Sequence, residues 1–286
     1  MTKTILLTGA TGTLGTEVIN QIKNNKSIKI IIISRKKNKE YKRYQYKKNS
    51  IKKIYDEKIF GIIHMATCYG KKNETIKEII DCNYKIPLEL FKLSIKKKAN
   101  FFLNCDTYFH NNLNLPLGVS KYVETKKKFI NKIKSINKNR VKIINCKILH
   151  MYSEKDDHTK FLNKIVFDLK KNKKEIGLTK CKQKIDFINY KDVAGAIKLI
   201  LKNILEKNNI QNNLEIGTGN SIELRKLFLY FKKKIKSKSK LNFGFYKNRI
   251  GEKKVYIANI KNLKKINWKP NYKGYKGFDF FLRQVN

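Results

Sequence analysis

Short apolar runs alternate with longer stretches of helical period along this chain. Residues 4–7 (TILL) form a strand-length run that meets Gly9, Gly12 and Gly15, and a helical pattern opens at Thr13. The next run, 27–34 (SIKIIIIS), has an unbroken apolar centre at 30–33. That suits a strand buried on both faces of a parallel sheet. Residues 60–65 (FGIIHM), 101–103 and 141–149 predict further strands. Helical periodicity covers 74–97 and 119–136, and Pro87 marks a break or the start of a second segment. Later helices are predicted over 161–171, 192–206 and 221–234, while 41–58 is polar and follows neither period. Strands that alternate with helices imply an α/β fold, a doubly wound parallel sheet joined by right-handed crossovers.

The first turn carries the clearest chemistry. A strand, a glycine turn and a helix in that order make a cradle for phosphate. Gly9 permits the tight turn, Gly12 lets backbone approach a pyrophosphate, and Gly15 lets helix and strand pack closely. The residues around them, Thr8, Thr11, Thr13 and Leu14, complete a loop that points to a Rossmann-type dinucleotide site. Such a site prefers NAD when an acidic residue follows the glycines by about 20 residues and takes the ribose hydroxyl. Here no acid lies between Glu17 and Glu40, and Arg35 stands past the second strand with Lys36 and Lys37. This favours NADP(H), with NAD(H) as the alternative.

Composition changes the picture only by exclusion. The chain has 286 residues and is 41% hydrophobic, which suits one large α/β domain or such a domain with a substrate lobe. The net charge of +44 invites a nucleic-acid reading, but only six of the 66 basic residues are arginine. Base readout and bidentate phosphate binding favour arginine. The lysines are spread through the whole chain, as a bias on solvated faces, so no nucleic-acid partner is expected. Cys68, Cys82, Cys105, Cys146 and Cys181 lack metal-ligand spacing and read as reduced thiols. No signal peptide and no run of membrane-span length is seen, so a cytoplasmic protein without a membrane partner is expected.

Several segments in order resemble the extended short-chain dehydrogenase/reductases, the NAD-dependent epimerase/dehydratase superfamily. They are TGATGTLG at 8–15, GIIHMAT at 61–67, Asn83 on the next helix, QKIDFINYKDVAGAI at 183–197, LEIGTGNSIELRKL at 214–227, and RIGE at 249–252 with INWKP at 266–270. IIHMATCYG at 62–70, NCDTYF at 104–109, YVETKKKF at 122–129 and KILHMYSEKDD at 147–157 resemble a narrower group, nucleotide-sugar 4-ketoreductases. The resemblance implies a nucleotide-binding domain over 1–155, with 186–206 returning to it. It implies a small substrate lobe from 156–185 and 207–286. It also implies a homodimer paired through the helices at 74–97 and 119–136, where Lys126, Lys127 and Lys128 would crowd the contact.

The family's catalytic pair is Tyr-x-x-x-Lys, whose spacing puts both side chains on one helix face. Tyr122 and Lys126 fit, the tyrosine as general acid and the lysine as its activator and ribose ligand. A rival register on LPLGVSK at 115–121 aligns Leu117 with the tyrosine and leaves the enzyme without its acid. Tyr122 is preferred because TKKKF then matches the string around the family's lysine. The family's third catalytic residue, a Ser or Thr, corresponds to Cys105, a weaker donor. The resemblance places Ala66, Thr67 and Asn83 at the cofactor, and Asp106, Thr107, His150, Lys160 and Arg249 at the substrate. His64 reads as a packed strand-end histidine and Asp192 as a helix cap. The implied activity is NADPH-dependent reduction of the 4-keto group of a nucleotide-linked deoxysugar, of the CDP-4-keto-3,6-dideoxyhexose type, in surface polysaccharide synthesis. A 4-epimerase with bound NAD and a catalytically silent NADP-binding regulator are the alternatives.

Overall fold

The computed structural model describes residues 2–35, 40–54, 57–70, 73–111, 117–248 and 254–285. The chain divides into two compact units. The first comprises Met1–Asn111, Leu115–Ile148 and Ala194–Leu214, and the second Leu149–Val193 and Glu215–Asn286.

In the first unit the apolar runs become strands β1 (Lys3–Thr8), β2 (Ile28–Ser34), β3 (Lys42–Gln45), β4 (Gly61–His64), β5 (Phe101–Thr107) and β6 (Lys142–Ile148). They pair in parallel in the spatial order β6-β5-β4-β1-β2-β3. This is a Rossmann-type sheet, with its topological switch between β1 and β4. Helices α1 (Thr13–Ile22) and α2 (Lys48–Ile51) lie between these strands in the chain. The polar stretch at 41–58 thus holds β3 and α2, too short to show a period. The single helix predicted over 74–97 is α3 (Ile76–Ile80), a π-helical turn (Asp81–Lys85) and α4 (Ile86–Lys96). Pro87 sits in the first turn of α4, where its missing N–H costs no helical bond. Helix α5 (Leu117–Asn137) completes this region. Leu6, Ile31, Ile62, Phe102, Phe91 and Phe129 share one buried cluster, so sheet, α4 and α5 close over a single core. On the outer face of α5, Tyr84, Lys127, Lys128 and Lys132 line a groove of about 700 Å3.

The chain continues with β7 (His150–Tyr152), α6 (Phe161–Lys170), β8 (Glu175–Leu178), β9 (Lys184–Ile185), β10 (Phe187–Asn189) and α7 (Tyr190–Leu205). Strand β11 (Asn213–Ile216) is the sheet's outer neighbour of β6. Then come β12 (Ile222–Glu223), α8 (Leu224–Ile235), β13 (Lys240–Phe243), β14 (Val255–Tyr256), α9 (Lys261–Lys264) and α10 (Gly274–Gln284). Small pairings, β7 with β10, β8 with β13, and β9 with β12 and β14, organise the second unit. Two buried carboxylates tie it together. Asp186 accepts from Thr218 N (2.8 Å), Thr218 Oγ1 (2.6 Å), Gly219 N (2.9 Å) and Ala258 N (3.1 Å). Asp192 lies inside the first turn of α7 instead of capping it, and accepts from the Asn271 and Tyr272 amides at 2.9 Å. Among the described residues no helix is long and apolar enough to cross a membrane.

Candidate active site

The glycine turn is shaped for close approach. Gly9 has φ +70°, and a Cβ there would lie 2.7 Å from the Ala66 nitrogen. A Cβ on Gly15 would lie 2.1 Å from the Gly9 carbonyl oxygen, so α1 can begin this near β1 only on glycine. Gly12 is the N-cap of α1, and no side chain caps the helix there. Its first amides and the positive end of its dipole face outward with Thr11 and Gly12 exposed and Thr13 and Leu14 half-buried. A cradle of this kind, empty of side chains and lined by amides, fits the pyrophosphate of a dinucleotide. Arg35 is exposed one residue past β2. Beside it Arg43 donates from Nη1 to the Ser34 carbonyl at 3.1 Å, a second guanidinium that the sequence reading counted only in the composition. The parallel register of β2 with β3 is what brings it there.

A row of polar residues crosses the carboxyl edge of the sheet. In register, Thr8 pairs with His64, His64 with Asn104, and Asn104 with Asn145. Thr8 Oγ1 lies 2.8 Å from His64 Nδ1 and accepts from the amides of Met65 and Ala66, each at 3.1 Å. Thr67, half-buried, donates to the Met65 carbonyl at 3.4 Å. Asn104 donates to Asn145 Oδ1 at 2.8 Å, and Asn145 donates to Asp106 Oδ2 at 2.8 Å. The other Asp106 oxygen accepts the Thr107 amide at 2.8 Å. Asn83, fully buried in the π turn, makes two bonds to Cys68: Oδ1 accepts its amide at 2.9 Å and Nδ2 donates to its carbonyl at 2.8 Å. It fixes the loop that follows β4.

Tyr122 and Lys126 lie one turn apart on the buried face of α5. The Lys126 ammonium donates to the Cys105 carbonyl at 2.7 Å. Burial pulls the Lys126 pKa down, and Asp106 works against that shift. Burial raises the Tyr122 phenol well above its ordinary value, with Tyr69 adding to the effect. A side-chain hydrogen bond with Thr107 opposes it. Thr107 Oγ1 also accepts the Phe109 amide at 3.2 Å, which leaves its proton for the phenol. The Tyr69 ring stands 5.1 Å from the Tyr122 ring. The Cys105 thiol is buried and pushed up to about 12 by desolvation, so it stays protonated at neutral pH, and its backbone carbonyl is the group that meets Lys126. In the rival register, Lys121 is partly exposed and ion-paired with Glu124 at 2.9 Å.

The structure therefore brings together Thr8, Ala66, Cys105, Asp106, Thr107, Tyr122 and Lys126 in the first unit. His150 and Lys160 belong to the second. The His150 ring packs 5.5 Å from both Phe187 and Tyr256, and Lys160 precedes α6 as its N-cap residue. Arg249 lies outside the described residues. The sequence reading did not single out Tyr69 or the Asn104–Asn145 link. A usable signal existed for the second, because Asn-Cys occurs at both 104–105 and 145–146 inside otherwise apolar strands.

Residues 5–217 match the NAD dependent epimerase/dehydratase family. The chain belongs to this family. As a member it is an NAD(P)-dependent enzyme, and the glycine cradle and the uncapped helix end are the parts of it that fit such a cofactor. The chain is 32% identical to CDP-abequose synthase of Salmonella typhimurium, over 80% of this chain and 78% of that protein. It is 31% identical to CDP-abequose synthase of Salmonella muenchen, over 96% and 95% respectively. Among solved structures, UDP-glucose 4-epimerase of Thermotoga maritima with UDP-glucose superposes with a TM-score of 0.80 at 16% identity, covering 98% of each chain. UDP-glucose 4-epimerase of Thermus thermophilus in complex with NAD gives 0.78 at 12% identity, over 99% and 98%. At such identities these two speak for the fold.

Proposed function

We propose that this family member reduces the 4-keto group of a nucleotide-linked deoxysugar with NADPH. The observation that carries the reading is its 31% identity to a CDP-abequose synthase over 96% of the chain. That similarity supports a CDP-linked 4-keto-3,6-dideoxyhexose as substrate. The absence of an acid after β2 and the two guanidinium groups at Arg35 and Arg43 support NADP(H) over NAD(H).

The glycine turn and the first amides of α1 would hold a nicotinamide dinucleotide, which would supply the hydride when bound. The chain's own residues handle the proton. Tyr122 Oη holds it firmly in its buried setting and releases it to the C4 oxygen as that oxygen becomes an alkoxide. The Thr107 hydroxyl hydrogen-bonds the phenol and favours the phenolate that is left behind. Lys126, one turn away, adds positive charge on the same helix face. Asp106 and Asn145 brace the strand end that carries Thr107.

The test combines binding and turnover. NADPH should bind more tightly than NADH in a titration of the apoprotein, and tighter NADH binding overturns the reductase reading in favour of a 4-epimerase. Across a panel of CDP-, dTDP-, UDP- and GDP-linked 4-keto sugars, Tyr122→Phe should lower kcat by about 10²- to 10⁴-fold without changing NADPH affinity. An unchanged kcat removes Tyr122 from the mechanism, and a wild type silent on the whole panel supports the regulator reading.

A further inference from the structure

His64 is the one titratable group in the polar row for which the proposed reaction has no use. It is fully buried at the end of β4, between the rings of Phe102 and Phe129, and its Nε2 has no hydrogen-bond partner among the described residues. A buried polar atom in that condition calls for a reason.

The reason lies at the other ring nitrogen. A threonine hydroxyl has two lone pairs and one proton. The Ala66 amide and the Met65 amide, the latter shared with the Thr8 carbonyl at 3.3 Å, both donate into Thr8 Oγ1 at 3.1 Å and occupy the two lone pairs. The 2.8 Å contact to His64 Nδ1 is then the hydroxyl's own donation. An Nδ1–H imidazole or an imidazolium would need a third lone pair on the same oxygen. His64 is therefore neutral, with its proton on Nε2. The surroundings agree, since burial and the Lys126 ammonium on α5 both disfavour a charged ring.

This arrangement bears on the nucleotide loop. Thr8 is the last residue of β1 and precedes Gly9 directly. The Ala66 amide that Thr8 grips is the same nitrogen against which Gly9 packs, at 2.7 Å from where a Cβ would stand. Without an acceptor at residue 64, the Thr8 proton turns toward the two amides and competes with them, and the Ala66 amide, which unlike Met65 does not also reach the Thr8 carbonyl, is the one displaced. The wall of the glycine turn then shifts.

We infer that His64 is a positioning residue for the dinucleotide site, acting as the acceptor that orients the Thr8 hydroxyl and so holds the end of β4 against the glycine turn. The inference rests on dinucleotide binding, which the family shares, and not on the identity of the sugar. Asparagine can place an amide oxygen near the position of Nδ1, whereas glutamine reaches toward Nε2 and leucine offers no acceptor.

Two measurements test it. With 15N-histidine, long-range proton–nitrogen spectra should give residue 64 the Nε2–H tautomer, assignable because the chain has four histidines. NADPH affinity should fall roughly tenfold in His64→Leu and in Thr8→Val, the scale of one hydrogen bond, with no further loss in the double variant. His64→Asn should recover most of that loss and His64→Gln should not, while nucleotide-sugar affinity stays level throughout. If His64→Leu does not fold, the comparison of His64→Asn with His64→Gln carries the test. An Nδ1–H signature, equal NADPH affinity in the Asn and Gln variants, or additive losses in the double variant overturns the inference. Because NADPH binding is read directly, a failure of the 4-keto reading leaves these outcomes unaffected.

Discussion

A phenol buried beside a threonine hydroxyl keeps its proton until something more basic arrives. That describes Tyr122, and it makes Thr107 the residue that tunes it. Thr107→Val removes the bond that favours the phenolate, so the Tyr122 pKa rises further. The basic limb of the kcat–pH profile should move to higher pH, and kcat should drop about tenfold, the size of one hydrogen bond. A profile with an unmoved basic limb would detach Thr107 from the phenol. That Tyr122 and Lys126 share one helix face was legible in the sequence, because a spacing of four is local and both fall near the start of the long helix. The role of Thr107 was less so, since strand periodicity ended the strand at 103 and β5 runs to Thr107. The polar side chains of Asn104, Asp106 and Thr107 break the apolar pattern that marks a buried strand. Asn104 and Asp106 are tolerated there because both bond to Asn145 on the neighbouring strand, and Thr107 because its hydroxyl meets the Phe109 amide and the Tyr122 phenol.

At the scale of elements, the strands of the first unit were readable because each is a short apolar run, and the parallel order follows from the helices between them. The small pairings of the second unit were not, because two-residue strands such as β9, β12 and β14 carry no period. They are held by Asp186, a single carboxylate that gathers β9's outlet, the turn at 218–219 and the segment after β14. Burial raises its pKa although four donors pull the other way. Asp186→Asn keeps the shape but turns an acceptor into a donor facing other donors. A loss of about 3 kcal/mol in unfolding free energy is expected, read from denaturant curves, because one or more buried amides lose their acceptor. A loss below about 1 kcal/mol would mean that the amide flips and that the clamp is not decisive.

At the scale of the whole molecule, the large positive charge hid more than it disclosed. Lysines occur on nearly every face, and among the described residues Lys126 is the only one fully buried. No composition argument could single it out, because burial is a property of the fold and 66 basic residues supply many chance spacings. The family's fold was legible because several segments occur in the right order over nearly the full length. The π turn at Asp81–Lys85 was not, since 74–97 reads as helix either way. Yet that turn decides which changes in chain length the protein can absorb. Removing one residue from an ordinary helix rotates everything beyond it by about 100°. A π turn holds one residue more than an α turn, so removing one there restores the usual winding and leaves both flanks in phase. Excision of Tyr84 should give a protein that melts within a few degrees of the parent and keeps the faces of Ile79 and Phe91 inward. It should lose turnover, because Asn83 would no longer reach Cys68 and the loop bearing Tyr69 would come free. Excision of Lys132 from α5, which has no such spare residue, should unfold the chain. Parallel thermal melts of the two deletions check this, and equal damage in both would deny the spare residue. The turn that anchors the loop bearing Tyr69 is thus also a place where the gene could lose a codon and still encode a folded chain.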